Sequence, residues 1–371
     1  MLRKIVLCVF VLCLTVSVVY AQPAGKVILD TDIAYLNDDA LALFLAVQAD
    51  KAGSLQLLGV TTAGGNVFVP EATTAALRQL ELIGRTDVKV YQGVDVPLAG
   101  FRNMKEEARM YGVPFYCGAY WDFESDTFVD IEQRSPDYLH LSKEPMYGYP
   151  ETRAEKLSAI DFMIEQVKKY PDEVTIMAIG SATNIALALK KYPELAEHAA
   201  GIIYMGGDID RPGQATSAAE FNFYYDPDAI KLCLAADWKK QLVVPDDLAH
   251  QVIMTSEFYE RLAAKKPNPI TKLILSGNRT FYDETAKYVW DMLVPAVYLK
   301  PEIITDLQTR YITVDERPGI NSGRAVTWSQ HRFNDMKTGR GFPEGVKKAQ
   351  IVMGIDYKAF WDFCIDVLSA E

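Results

Sequence analysis

The feature that most constrains the fold is an alternation of short apolar runs with helix-length amphipathic stretches through most of the chain. Val27–Asp30, Leu55–Thr62, Val88–Tyr91, Val174–Ala178, Ile202–Met205 and Gln241–Val244 read as buried strands. Between them, Ala40–Ala49, Pro70–Ile83, Ala154–Lys169 and Ala182–Lys191 carry helical spacing. Strands alternating with helices favour an α/β class, with a mostly parallel central sheet flanked by helices on both faces. The stretch from Phe101 to Arg153 breaks the rhythm. It is rich in aromatics, prolines and glycines, among them Tyr111, Phe115, Tyr116, Tyr120 and Trp121. Such an excursion reads as a lid or an insertion (101–153) within one domain spanning 26–371. No internal repeat, low-complexity tract or linker interrupts that domain.

The first residues stand apart. Arg3 and Lys4 precede an apolar run, Ile5–Val19, and Val19-Tyr20-Ala21 then supplies a small-residue cleavage site. This is the three-part pattern of a secretory signal peptide over residues 1–21, so the mature chain is expected to be exported, to periplasm or cell exterior. A run of about 15 residues falls short of the roughly 20 that span a bilayer, which weighs against an uncleaved anchor. Losing Arg3 and Lys4, with no acidic residue, takes the formal charge from −11 to −13. So acidic a surface repels phosphate backbones and argues against nucleic-acid polymers as partners, whereas a neutral small molecule meets no such barrier. Cys8 and Cys13 leave with the leader. Cys117, Cys233 and Cys364 remain, enough for one bridge but not for a disulfide framework. With no Cys-x-x-Cys, and with His140, His198, His250 and His331 apart, a zinc site is not expected.

Chemistry concentrates where the first strand ends. Asp30-Thr31-Asp32 is followed by Asp38-Asp39 just before the next helix. In parallel α/β sheets ligands bind beyond the carboxyl ends of the strands, so the place suits a site. Carboxylates this close repel: two charges about 4 Å apart cost about 4 kcal/mol at an effective dielectric near 20. A divalent cation reverses that sign, and oxygen-only donors suit Ca²⁺ or Mg²⁺, Ca²⁺ tolerating irregular geometry better. Two other readings stand beside this one. Asp38 and Asp39 suit the first turn of a helix on dipole grounds alone. Asp30-Thr31-Asp32 also fits the Asp-x-Asp start of a haloacid-dehalogenase-type phosphatase, with Asp30 as nucleophile.

Four further segments narrow the choice: Thr61-Thr62-Ala63-Gly64-Gly65-Asn66-Val67; Gly180-Ser181-Ala182-Thr183-Asn184-Ile185-Ala186; Met205-Gly206-Gly207 through Gly213-Gln214 to Ala219-Glu220-Phe221-Asn222 and Asp226-Pro227; and Trp290-Asp291 in a helix-like stretch Tyr288–Pro301. Taken singly, these are also turn glycines, a helix cap at Thr183-Asn184, or a surface strand pair at Glu220 and Asn222. In this order and spacing, with the acidic loop, they resemble the inosine-uridine-type nucleoside hydrolase family from roughly Lys26 to Gly341. The resemblance implies a nucleoside hydrolase (Rossmann-like) fold, a nucleoside substrate, one Ca²⁺ per subunit in preference to Mg²⁺, and a homodimer or homotetramer. It implies metal ligation by Asp32, Asp39, Asp291 and the backbone carbonyl of Thr183. Asp38 would bind the ribose 2′-hydroxyl, Asn222 and Asp291 the 3′-hydroxyl, and Gln214 and Glu220 the 5′ side. Asn66 and Met205 would line the ribose pocket, and Asp30 would support the ligands from behind.

The implied reaction is attack of water on the ribose anomeric carbon, with Asp32 as general base. Many family members carry a His before the last metal-binding Asp, and here that position is Trp290. Indole stacks on a base and protonates nothing, so Trp290 resembles the purine-preferring branch, and purine nucleosides are the expected substrates. Phe101, Tyr116 and Trp121 are candidates for a second stacking ring. A protein that binds nucleosides or sugars without turnover stays open as the alternative. The first loop also departs from the family's pattern. Ile33-Ala34-Tyr35-Leu36-Asn37 is two residues longer than the short form, and Ala34 and Leu36 stand where the longer variant has Gly and Asp. Gln214 replaces a more usual Asn. Losing a glycine there is expected to restrict the backbone and shift the carboxylates.

Overall fold

A computed structural model of the chain describes residues 25–277, 287–329 and 345–371. The leader pattern of residues 1–21 and His331 lie outside these, and among the described residues no helix is long and apolar enough to cross a membrane. The central sheet comprises β1 (Gly25–Thr31), β2 (Leu55–Thr62), β3 (Val90–Gln92), β4 (Val174–Ala178), β5 (Gly201–Met205), β6 (Gln241–Val244), β7 (Ile304–Val314), β8 (Ala325–Ser329) and β9 (Lys347–Ile355). Their spatial order is β8-β7-β9-β6-β5-β4-β1-β2-β3. All pairings from β3 across to β9 are parallel, and only β7 runs against its neighbours.

Apolar residues place the sheet's middle in the core. Val27, Ile28 and Leu29 of β1 are fully buried between two apolar layers, one built largely on the helix Asp38–Lys51 and one on Ala159–Lys169 and Thr183–Lys191. The helix Asp38–Lys51 begins at Asn37, whose side chain accepts from the Ala40 N–H at 3.4 Å. Every residue from Asp39 to Ala49 is buried, because the helix lies between the sheet and a C-terminal helix, Tyr357–Leu368. It is therefore apolar all round rather than amphipathic.

The strand-and-helix reading needs four corrections. Helical structure near residue 154 begins only at Ala159, where Ser158 caps the helix, and Glu155 instead bridges to Tyr91. Tyr288–Pro301 is not one helix: Lys287–Tyr288 pairs with Ile253–Met254, and helix runs only from Leu293 to Leu299. Glu220 and Asn222 do not alternate along a strand, since Glu220 caps the short helix Phe221–Tyr225 and Asn222 sits in its first turn. The strands β7, β8 and β9 also lie beyond those read from the sequence. Most of β7 is half-buried or exposed, so its sequence, Ile-Thr-Asp-Leu-Gln-Thr-Arg, lacks a continuous apolar run.

Candidate functional site

The chain order β1, β2, β3 runs outward in one direction, then β4, β5, β6 run outward in the other. The reversal lies between β1 and β4, and crevices at such switch points are where α/β sheets bind ligands. Asp32 follows β1 at this edge, Gly64-Gly65-Asn66 follow β2, Gly180 to Thr183 follow β4, and Met205 ends β5.

Asp32 is fully buried. Its Oδ2 accepts from the Asn66 N–H at 2.6 Å, while its Oδ1 is buried without a hydrogen-bond partner among the described residues. Two glycines make room for it. A methyl group on Gly65 would stand 2.0 Å from Oδ2, and one on Gly180 would stand 3.1 Å from Oδ1. Asp39 is held on both oxygens: Oδ1 accepts from the Thr31 hydroxyl at 2.5 Å, and Oδ2 accepts from the side-chain amides of Asn37 and Asn66, each at 2.9 Å. Asp38 Oδ2 accepts from the backbone N–H groups of Trp290 and Asp291, both at 3.2 Å, which ties the first loop to the turn more than 250 positions away. Carboxylate oxygens of Asp38, Asp39 and Asp291 lie within 4.8 Å of one another, and the charges of Asp38 and Asp39 act on Asp32.

Burial, reinforced by the Asp38 charge, lifts the Asp39 carboxyl to about 7. Burial and then the neighbouring carboxylates drive Asp32 and Asp291 well above the usual carboxylate range. A set of buried carboxylates that disfavour one another's charge, with one orphaned oxygen, is what a divalent cation would stabilise. The oxygen-only donors suit a hard ion.

Around this core the structure fixes supporting groups. Asp30 Oδ1 accepts from the Thr61 hydroxyl at 2.6 Å and from the Asn184 amide at 2.8 Å, and burial raises its carboxyl to about 6. Asp30 is fully buried, with Oδ1 committed to two donors and Oδ2 unpartnered among the described residues. Thr183 opens a helix just after Ala182, which takes a left-handed backbone (φ 57°), and its hydroxyl donates to Asp226 Oδ2 at 2.7 Å. Asp226 also accepts from the Leu98 N–H at 2.9 Å and caps the helix Pro227–Ala235 through the Ala229 N–H at 3.2 Å. Asp226→Ala leaves the Thr183 hydroxyl only the Ser181 hydroxyl as partner, removes the acceptor of the Leu98 N–H and removes a cap, and is expected to cost about 2–3 kcal/mol in urea denaturation.

Of the residues assigned to ribose, Met205 ends β5, and Asn222 donates its amide to the carbonyls of Ile179 and Met205, both at 3.2 Å, which brings Asn222 to the ends of β4 and β5. Glu220 is fixed more tightly than its expected role suggests: its two oxygens accept from the N–H groups of Asn222, Gly207 and Phe223 at 2.7, 2.8 and 3.1 Å. Gln214 has a buried Oε1 with no partner among the described residues, and its N–H donates to Asp208 Oδ2 at 2.9 Å. Trp290 is half-buried, and its indole N–H donates to Asp246 Oδ1 at 2.5 Å.

The excursion stands beside the carboxylates and reaches them through Tyr116, whose hydroxyl donates to Asn66 Oδ1 at 2.7 Å. Of the three candidate rings, Phe101 packs edge-on to Phe68 and Trp121 edge-on to Phe128, leaving Tyr116 as the one that the site's carboxylates act on. Between the excursion and the helix Val69–Leu82 lies a cavity of about 550 Å³ whose lining includes Asn66, Glu71, Trp121 and Arg134. The longer first loop is anchored by Gln79, whose amide donates to the Tyr35 carbonyl at 2.9 Å, and Leu36 is buried. Ala34 is not in the left-handed region, so the expected restriction from the missing glycine does not arise. Sequence reasoning gave no role to Thr31, Asn37, the Tyr116 hydroxyl, Asn184 or Asp226, although Thr31, Asn184 and Asp226 stand in the segments that carry the resemblance and Asn37 is an N-cap residue type before a helix. Cys117, Cys233 and Cys364 are free and buried, so the possible bridge is not formed.

Residues 27–362 match the family described as inosine-uridine preferring nucleoside hydrolase. The chain is similar to the probable uridine nucleosidase 2 of Arabidopsis thaliana, with 28% identity over 78% of this chain and 83% of that protein. It is also similar to the non-specific ribonucleoside hydrolase RihC of Escherichia coli O1:K1 / APEC, with 27% identity over 92% of this chain and 98% of the other. Among solved structures, the plant nucleoside hydrolase PpNRh1 superposes with a TM-score of 0.74 at 26% identity, over 94% of this chain and 100% of that one.

Proposed function

The chain belongs to the inosine-uridine-preferring nucleoside hydrolase family, and from that premise we propose that it is a purine-preferring enzyme that depends on a divalent cation. Hydrolysis of the N-glycosidic bond of ribonucleosides is the family's reaction. The observation that carries the metal assignment is the group of buried carboxylates from two distant segments, with Asp32 Oδ1 left without a partner. Asp32, Asp39, Asp291 and the Thr183 carbonyl would hold the ion, Ca²⁺ ahead of Mg²⁺ because the donor set is irregular. When bound, the cation makes water in contact with it more acidic and offsets the repulsion among the carboxylates.

The protein's own residues do the rest. Asp32 accepts the proton of the attacking water, and the Asn66 N–H on its Oδ2 fixes the carboxylate. Asp38 takes the 2′-hydroxyl, Asn222 and Asp291 the 3′-hydroxyl, and Gln214 and Glu220 the 5′ side, with Asn66 and Met205 lining the sugar. The negative field of the cluster stabilises positive charge developing on the ribose. Trp290 carries no acidic proton for the leaving base and stacks on it instead, which favours a bicyclic purine. The same lack of an acid favours, as second reading, a protein that binds nucleosides without turning them over. Base release from inosine, guanosine, adenosine and uridine, with and without chelator, decides between them. Faster purine release, abolished by chelator and restored by Ca²⁺, is expected, whereas tight calorimetric binding with no base released supports the second reading. The leader-like pattern at residues 1–21 supports an exported enzyme acting on extracellular nucleosides, and cell fractionation tests this.

The raised carboxyls also set a pH dependence. An acid whose folded value lies above its unfolded one holds its proton more tightly when folded, so its contribution to stability is lost as pH rises. For Asp39 that window runs from about 4 to about 7. The cation-free protein is expected to melt at a lower temperature at pH 7 than at pH 5. Calcium at 100 times its dissociation constant should return about 2.7 kcal/mol at pH 7, read as a rise in Tm, and less at pH 5.

A further inference from the structure

Trp290 does not hang free over the crevice. Its indole N–H donates to Asp246 Oδ1 at 2.5 Å, and Asp246 is fully buried at the carboxyl end of β6. The other oxygen of Asp246 lies 2.6 Å from His250 Nδ1. The His250 ring packs on Tyr288 with centroids 4.2 Å apart, and Tyr288 meets Trp290 edge-on at 5.8 Å. The contacts thus close on themselves, from Trp290 through Asp246, His250 and Tyr288 back to Trp290. On the far side Asp208, 3% exposed, is hydrogen-bonded to Asp246 and accepts from the Gln214 N–H at 2.9 Å.

We propose that Asp246 is a positioning residue for base selection, which fixes the plane of the Trp290 indole by its N–H and is itself held by His250 and Asp208. This rests on the reading of Trp290 as the base-stacking residue. The reason is geometric. A tryptophan ring at a crevice turns about two side-chain torsions, and stacking on a flat base rewards only one orientation. A hydrogen bond from the ring's edge to a buried carboxylate selects that orientation before the base arrives, so less ordering entropy is lost on binding. A bicyclic base overlaps a fixed indole more than a monocyclic one does, which turns pre-orientation into preference. Burial and the neighbouring Asp246 raise the Asp208 carboxyl to about 9.

The test combines kinetics with a probe of the ring itself, using the whole chain. Asp246→Leu removes the acceptor at similar volume, and Asp246→Asn keeps an acceptor. Hydrogen bonds to charged groups are worth about 1.5–3 kcal/mol, so Asp246→Leu is expected to lower kcat/KM for inosine roughly 10–100-fold, mainly through KM, with a smaller loss for uridine. Asp246→Asn should recover most of it. In a Trp290→Phe background, which has no indole N–H, adding Asp246→Leu should change kcat/KM by no more than about twofold. Independently of activity, the fluorine resonance of 5-fluorotryptophan at position 290, identified by its loss in Trp290→Phe, should move in Asp246→Leu and return in Asp246→Asn. If Asp246→Leu does not fold, Asp246→Ala withdraws the acceptor without adding a branched side chain. An unmoved resonance, or an equal kinetic loss with and without the indole, overturns the proposal. Absence of base release by the unaltered protein defeats the functional reading alone, and the resonance still decides the role of Asp246.

Discussion

Asp32→Asn is expected to lower kcat for base release by about 10²–10⁴-fold, the range a positioned general base contributes. The substitution is nearly isosteric. An asparagine oxygen can still accept from the Asn66 N–H, which holds Oδ2 at 2.6 Å in the natural protein. The amide nitrogen then takes the place of Oδ1, and an amide is neither a base for the attacking water nor a charged ligand for the cation. Protein stability should move the other way. Asp32 is buried and repelled by Asp39 and Asp38, so removing its charge relieves a cost, and the cation-free variant should melt at a higher temperature than the natural protein. Loss of rate together with gain of cation-free stability separates a functional carboxylate from a structural one. A fall in both would show that Asp32 holds the fold.

The second large effect is expected from a residue with no functional group. Gly65→Ala places a methyl group 2.0 Å from Asp32 Oδ2 and 2.7 Å from its Cγ, closer than any real contact. The carboxylate has little room to yield, since Gly180 borders its other oxygen at 3.1 Å from where a methyl would stand. Displacing a reacting group by about 1 Å costs on the order of 10²-fold, so kcat should fall about that much, while overpacking costs about 1–3 kcal/mol of stability. Steady-state kinetics and urea denaturation on the same preparation check both. An unchanged kcat would mean that the position of Asp32 does not set the rate.

These two residues also show what the sequence could and could not convey. The alternation that predicted the parallel sheet is a direct consequence of burial on both faces, so β1 to β6 were legible, and the acidic loop after β1 pointed at the correct edge of the sheet. Of the later strands, β7 was not, because a strand half-buried or exposed over most of its length lacks a continuous apolar run. Within the site, residue types with unusual chemistry stood out, as the aspartates and Trp290 did. Gly65 read as a turn residue, yet it lies outside the left-handed region and serves instead to leave space for a carboxylate. Thr31, Asn184 and Asp226 act by hydrogen bonds to partners that no spacing rule could pair with them, up to 154 positions away for Asn184 and Asp30. The anchoring of the long first loop by Gln79 was hidden for the same reason.

The central claim is that aspartates of the first loop and the aspartate beside Trp290 form one cage for a single divalent cation. Equilibrium dialysis of the chelator-treated protein against calcium tests it most directly, comparing the natural chain with Asp39→Ala and Asp291→Ala. The account predicts one Ca²⁺ per chain, with binding weakened at least 100-fold by either substitution, since each removes a charged ligand from the same ion. Calcium bound equally well by both variants, or no saturable binding by the natural protein, would contradict it.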